Sequence, residues 1–131
     1  MKTILVDAVN TTIIRDSEGN YSQFKELFDL LETYQNPKLI LTNADDEQII
    51  KSGLDSVPYP IFTMKHNPDK IDPIYFKTLL EKYNFDINEV IYFEHNLDAV
   101  KSAESVGIIS YHYDKEKRDL ISLKKFLDEN L

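Results

Sequence analysis

Five short apolar runs, Ile4–Val6, Lys38–Leu41, Ile61–Thr63, Val90–Phe93 and Ile108–Tyr111, alternate with amphipathic helical patterns along the chain. This alternation predicts an α/β fold, a parallel sheet with helices on both faces. The alternative is an α+β fold with antiparallel pairs. Residues 23–34 place Phe24, Leu27, Phe28, Leu31 and Tyr34 on one helical face, with Ser22 as N-cap and Asn36-Pro37 as the stop. A second helix, 44–52, ends at Gly53. Asp72-Pro73 reads as N-cap and first helical residue of a third, running to Tyr83. Asn96 caps a fourth that ends before Gly107, and 116–129 carries Leu120, Leu123, Phe126 and Leu127 on one stripe. Residues 12–21 differ: Asp16-Ser17-Glu18-Gly19-Asn20 is turn chemistry between two β-prone pieces and predicts a small hairpin flap.

With 131 residues the expectation is one domain, 1–131, large enough to bury a core without staples. There is no cysteine, so no disulfide, thiolate zinc site or cysteine nucleophile is available. No apolar stretch approaches the ~18 residues of a membrane span, and no signal-peptide layout opens the chain, so a cytoplasmic location and no membrane partner are expected. The net charge of −8 disfavours nucleic acid as a partner. The one dense basic run, Lys115–Arg118, contains Glu116 and reads as the solvated start of the last helix.

The residues that carry chemistry cluster at strand ends. Asp7 ends the first run, and a loop of small and polar residues follows it. Thr42 and Asn43 end the second. Lys70 precedes the Asp72-Pro73 helix start, and Glu94 and His95 follow the run Ile91-Tyr92-Phe93, with Asn96 and Asp98 behind. In an open α/β sheet such positions share the edge where ligands bind, and helix N-termini there favour anions. A carboxylate nucleophile, a hydroxyl, a cation and an acidic turn suit phosphoryl transfer.

The order resembles the haloacid dehalogenase superfamily over nearly the whole chain. ILVDAVNT matches the family's hhhDxDxT, LILTN its strand ending in Thr or Ser, and KIDPIYF its KPDPxxF stretch. VIYFEHNLDAVKSAESVGI is similar to its vFEDSxxGvxAAxxAGm, with Val100, Ala103 and Gly107 in register. The resemblance implies a three-layer Rossmann-like fold with strand order 3-2-1-4-5. It makes Asp7 the nucleophile of an aspartyl-phosphate, with Thr42 and Lys70 beside it as catalytic residues. Mg2+ would be held by Asp7, the Val9 carbonyl, Glu94 and the position of His95, while Thr11, Asn43 and Asn96 would face substrate.

Two departures bear on activity. Val9 stands where the family's phosphatases carry a general acid, whose loss costs roughly 10²–10⁴ in rate. His95 stands where a hard oxygen ligand is usual, so the Mg2+ site is degenerate; Asp98 is a candidate substitute. Asn10 replaces the family's glycine and tolerates the same left-handed turn. Only 34 residues separate Asp7 from Thr42, too few for a cap domain. A small phosphorylated molecule is the expected substrate, and a protein partner or an oligomer is expected to cover the open site. Two alternatives remain: a non-catalytic binding module on this fold, and a metal-free dehalogenase-like C–X hydrolase. The second rests on DAVNT, which is close to the 2-haloacid dehalogenase string DAYGT, and on Asn96, which matches an asparagine of those enzymes.

Overall fold

The computed structural model describes Met1–Leu131. Its centre is β1 (Thr3–Asp7), whose five residues are all buried. Parallel pairing places β4 (Lys38–Thr42) on one side of it and β6 (Val90–Glu94) on the other. The outer strands are β5 (Ile61–Thr63), paired with β4, and β7 (Ile109–His112), paired with β6. The order β5-β4-β1-β6-β7 is the expected 3-2-1-4-5. Because side chains alternate along a strand, Ile4 and Val6 face one layer and Leu5 the other.

The first layer packs α1 (Lys25–Glu32) and α5 (Leu120–Asn130) on Ile4, Val6, Ile40, Ile91 and Phe93 through Leu27, Leu31, Leu123 and Leu127. Helix α2 (Asp46–Ser52) leans on the same layer through Ile49. The second layer packs α3 (Pro73–Tyr83) and α4 (Leu97–Ser105) on Leu5, Leu39, Leu41 and Tyr92 through Tyr75, Phe76, Leu79 and Ala103. The Asp72 cap with Pro73, the Asn96 cap and the left-handed Gly53 all stand where the sequence put them. The flap is the antiparallel hairpin β2 (Ile13–Arg15) and β3 (Tyr21–Gln23), and no cap domain interrupts the sheet.

Three helix starts differ from expectation. Ser22 is not a cap: it pairs with Ile14 in the hairpin, and α1 begins two residues later behind Phe24 with no side-chain cap. Strand pairing consumed the residue that local chemistry offered to the helix. Helix α2 begins at Asp46, because Asp45 and Gln48 form a reciprocal capping box. Lys115–Arg118 is a turn and not a helix start: the Asp114 carboxylate accepts the N–H groups of Glu116 and Lys117, Arg118 takes a positive φ of 49°, and α5 starts behind the Asp119 cap.

Candidate active site

Asp7 ends β1 and is 2 % exposed. Its Oδ1 accepts from the Ala8 N–H at 2.9 Å and from Lys70 Nζ at 2.7 Å. Its Oδ2 accepts from Thr11 Oγ1 at 2.7 Å, from His95 Nδ1 at 2.5 Å and from the His95 N–H at 3.3 Å. The Asp7 carbonyl accepts from Thr12 Oγ1 at 2.8 Å, which fixes the turn that follows. That turn passes through Asn10 at φ 73°, the left-handed conformation that asparagine tolerates.

Glu94 ends β6 beside it, with no exposed surface. Strand alternation puts Tyr92 on the same side, and its hydroxyl donates to Glu94 Oε1. Lys70 Nζ lies 2.7 Å from that same oxygen and also donates to the Leu41 carbonyl at 3.2 Å. Glu94 Oε2 accepts from the Asn96 N–H at 3.1 Å and lies 3.2 Å from His95 Nδ1. His112, from the end of β7, donates through Nε2 to the His95 carbonyl at 2.9 Å. Lys70 is carried in by the loop before α3, where its N–H donates to Asn43 Oδ1 at 2.7 Å.

Burial alone would push the Asp7 carboxyl up, yet the Lys70 charge and the His95 hydrogen bond hold it far below the usual carboxylate range. Burial likewise disfavours the Lys70 ammonium, but Asp7 and Glu94 more than offset it and raise its pKa. For His95 burial lowers and the Asp7 and Glu94 hydrogen bonds raise, leaving the imidazole at about 9. Burial and the Glu94 charge push the Tyr92 phenol well above its ordinary value, so it stays a donor.

These groups floor a cleft of about 400 Å³ at the carboxyl edge of the sheet. Val9, Thr42, Asn43, Lys70, Glu94, His95 and Asn96 line it with Asp7. Thr42 Oγ1 accepts from the Ala44 N–H at 3.1 Å. Two expected residues are placed elsewhere. Thr11 does not face the cleft; its hydroxyl is committed to Asp7. Asp98 is exposed in the first turn of α4 and takes no part in the carboxylate cluster. Asn43 and Asn96 use their side-chain oxygens internally, on the Lys70 N–H and on the Asp98 and Ala99 N–H groups. The hairpin contributes Tyr21, and α2 contributes Gln48 and Lys51. His66 also lines the cleft, bonded to Asp69 Oδ1 at 2.8 Å and Gln48 Oε1 at 2.6 Å. Its place four residues before Lys70, in one loop, was the available signal.

No protein-family model matches the sequence, and neither does any curated protein. Solved structures do match. A HAD family enzyme from Bacteroides thetaiotaomicron, an aspartate-to-alanine mutant in complex with magnesium and inorganic phosphate, superposes with a TM-score of 0.67 at 14% identity, over 88% of this chain and 95% of that one. An uncharacterized protein from Listeria monocytogenes serotype 4b gives 0.65 at 14% identity, over 87% and 79%. A candidate beta-phosphoglucomutase from Thermotoga maritima gives 0.56 at 12% identity, over 86% and 85%. The fold is the haloacid dehalogenase (HAD) fold. The five-stranded parallel sheet has the order of that fold, and the small two-stranded hairpin is present beside it.

The metal expected of a HAD site is tested by the donors. Asp7, Glu94 and His95 offer ligand atoms within 4.8 Å of one another. Both oxygens of each carboxylate already accept hydrogen bonds from the protein. His95 Nδ1 sits 2.5 Å from Asp7 Oδ2. Neighbouring ligands on an octahedral Mg2+ at about 2.0–2.1 Å stand about 2.9 Å apart. A contact of 2.5 Å is therefore a hydrogen bond and not a pair of co-ligands. The nitrogen faces two carboxylates and carries a hydrogen, so it has no lone pair for a metal, and Mg2+ prefers oxygen. In this arrangement the cluster does not fit Mg2+.

Proposed function

We propose that the protein is a hydrolase of phosphorylated small molecules that works through a covalent intermediate on Asp7. One observation carries the reading: the Asp7 carboxylate, held ionised, meets the Lys70 ammonium at 2.7 Å on the floor of an open cleft. The inorganic phosphate in the complex of the Bacteroides thetaiotaomicron HAD family enzyme, which has this fold, adds support for phosphate chemistry.

An Asp7 oxygen attacks phosphorus, the bond from phosphorus to the leaving oxygen breaks, and that oxygen departs with the electron pair. Lys70 and the Thr42 hydroxyl hold the phosphoryl oxygens as charge spreads onto them. Water then attacks phosphorus, the bond to Asp7 breaks and the carboxylate is restored. Val9 has no proton to give the leaving group. Substrates that leave well as anions, acyl and aryl phosphates, are therefore favoured over alkyl phosphates.

The test is turnover of acetyl phosphate and para-nitrophenyl phosphate, with mass spectrometry of acid-quenched protein. Phosphorylated Asp7, and loss of turnover in Asp7→Asn, are expected. Turnover that survives Asp7→Asn sinks the nucleophile. Absence of turnover with every phosphate tried favours the rival reading, a non-catalytic binding module. That rival draws on the same geometry, since both Asp7 oxygens already accept donors from the protein.

A further inference from the structure

We infer that His95 fills, with its own ring N–H, the seat between Asp7 and Glu94 that a divalent cation would need, so that the cleft is complete without a metal. Two buried carboxylates side by side repel each other and need compensation. Lys70 supplies one bridge, reaching Asp7 Oδ1 and Glu94 Oε1 at 2.7 Å each. The remaining facing oxygens, Asp7 Oδ2 and Glu94 Oε2, converge on His95 Nδ1 at 2.5 and 3.2 Å. The two carboxylates are thus bridged twice, and the second bridge lies where an ion touching both would sit.

His95 is held in that seat by its backbone as well. Its N–H donates to Asp7 Oδ2 at 3.3 Å and its carbonyl accepts from His112 Nε2 at 2.9 Å. The neighbouring positions are also filled, by Tyr92 on Glu94 Oε1, by the Asn96 N–H on Oε2 and by Thr11 on Asp7 Oδ2. A cation entering here displaces a ring whose backbone is held through both its N–H and its carbonyl, and gains two oxygens that already have donors. Removing the ring leaves the two facing oxygens pointed at an open, oxygen-lined space of the kind Mg2+ prefers. The proposal concerns the seat alone; only its consequence for turnover rests on the hydrolase reading.

The experiment is calorimetric titration of the protein with Mg2+, alongside thermal unfolding in Mg2+ and in chelator, for the native chain, His95→Ala, His95→Asp and Asp7→Asn. The native chain is expected to give no binding heat and the same unfolding midpoint in both conditions. His95→Ala and His95→Asp are expected to gain Mg2+ affinity by about 10–100-fold, the scale on which single positions around a site change it. If the added carboxylate of His95→Asp prevents folding, His95→Ala decides. Native-chain Mg2+ binding that Asp7→Asn abolishes overturns the inference, and so does a folded His95→Ala that gains nothing. Acetyl phosphate turnover is measured in the same two conditions: equal rates agree with the inference, and a rate that requires Mg2+ overturns it. No turnover in either condition strikes the hydrolase reading, while the binding data still decide the seat.

Discussion

The Lys70 ammonium lies 2.7 Å from Asp7 Oδ1, although 63 positions separate the two residues in the sequence. It reaches Glu94 Oε1 at the same distance. One cation from a loop therefore ties the ends of β1 and β6 together. Deleting it leaves His95 as the one cation beside two buried carboxylates, a loss on the order of 3–5 kcal/mol. Lys70→Met is expected to lower the unfolding free energy by that amount, read as a lower urea midpoint with little change in slope. A midpoint within experimental error of the native chain would remove Lys70 from the structural core of the site.

The fold was legible because its signals were local and repeated. Five apolar runs and the helix starts at Asp72 and Asn96 survive in the structure within a residue or two. Ser22 and Lys115–Arg118 were misread because hairpin pairing and the Asp114 and Asp119 turns decide those segments, and neither is visible in helical periodicity. Asp7, Thr42 and Glu94 could be placed on one sheet edge from strand ends, and Lys70 from the helix start that follows it. The side-chain hydrogen bonding could not. That Thr11 is committed to Asp7, and that His95 points between two carboxylates, depends on turn geometry at Asn10 and on the His112 contact from the neighbouring strand. Tyr92 was within reach of sequence reasoning, since a residue two before Glu94 on a strand shares its face.

Val9 lines the cleft without a titratable group. Val9→Asp is expected to raise turnover of alkyl phosphates by about 10²–10⁴, the usual worth of general acid–base help, and to change acyl phosphate turnover far less. The check is a comparison of kcat/KM for the two substrate classes. A folded variant that improves neither would separate position 9 from the leaving group.

Tyr92 donates its hydroxyl to the fully buried Glu94. Tyr92→Phe keeps the ring that packs on Phe76 and removes only that donor. A buried acceptor that loses a partner costs about 1–3 kcal/mol, and hydrogen bonds to a charged group lie toward the upper end. Denaturant unfolding of the variant is expected to show a loss in this range. An unchanged midpoint would mean that Lys70 alone satisfies Glu94 Oε1.

His95 gives the site a pH signature. Its ordinary value is 6.5; burial lowers it, the Asp7 and Glu94 hydrogen bonds raise it further, and it stands at about 9 in the folded chain. The folded state therefore holds this proton more tightly than the unfolded one. The stabilisation is complete below the unfolded value of 6.5 and is lost as the pH rises through about 9. Thermal midpoints of the native chain are expected to fall across that window, and those of His95→Gln to fall less, since glutamine has no proton to lose there. Parallel curves for the two proteins would show that the imidazole has the same proton affinity in both states, and that the His95 bridge is formed with a neutral ring.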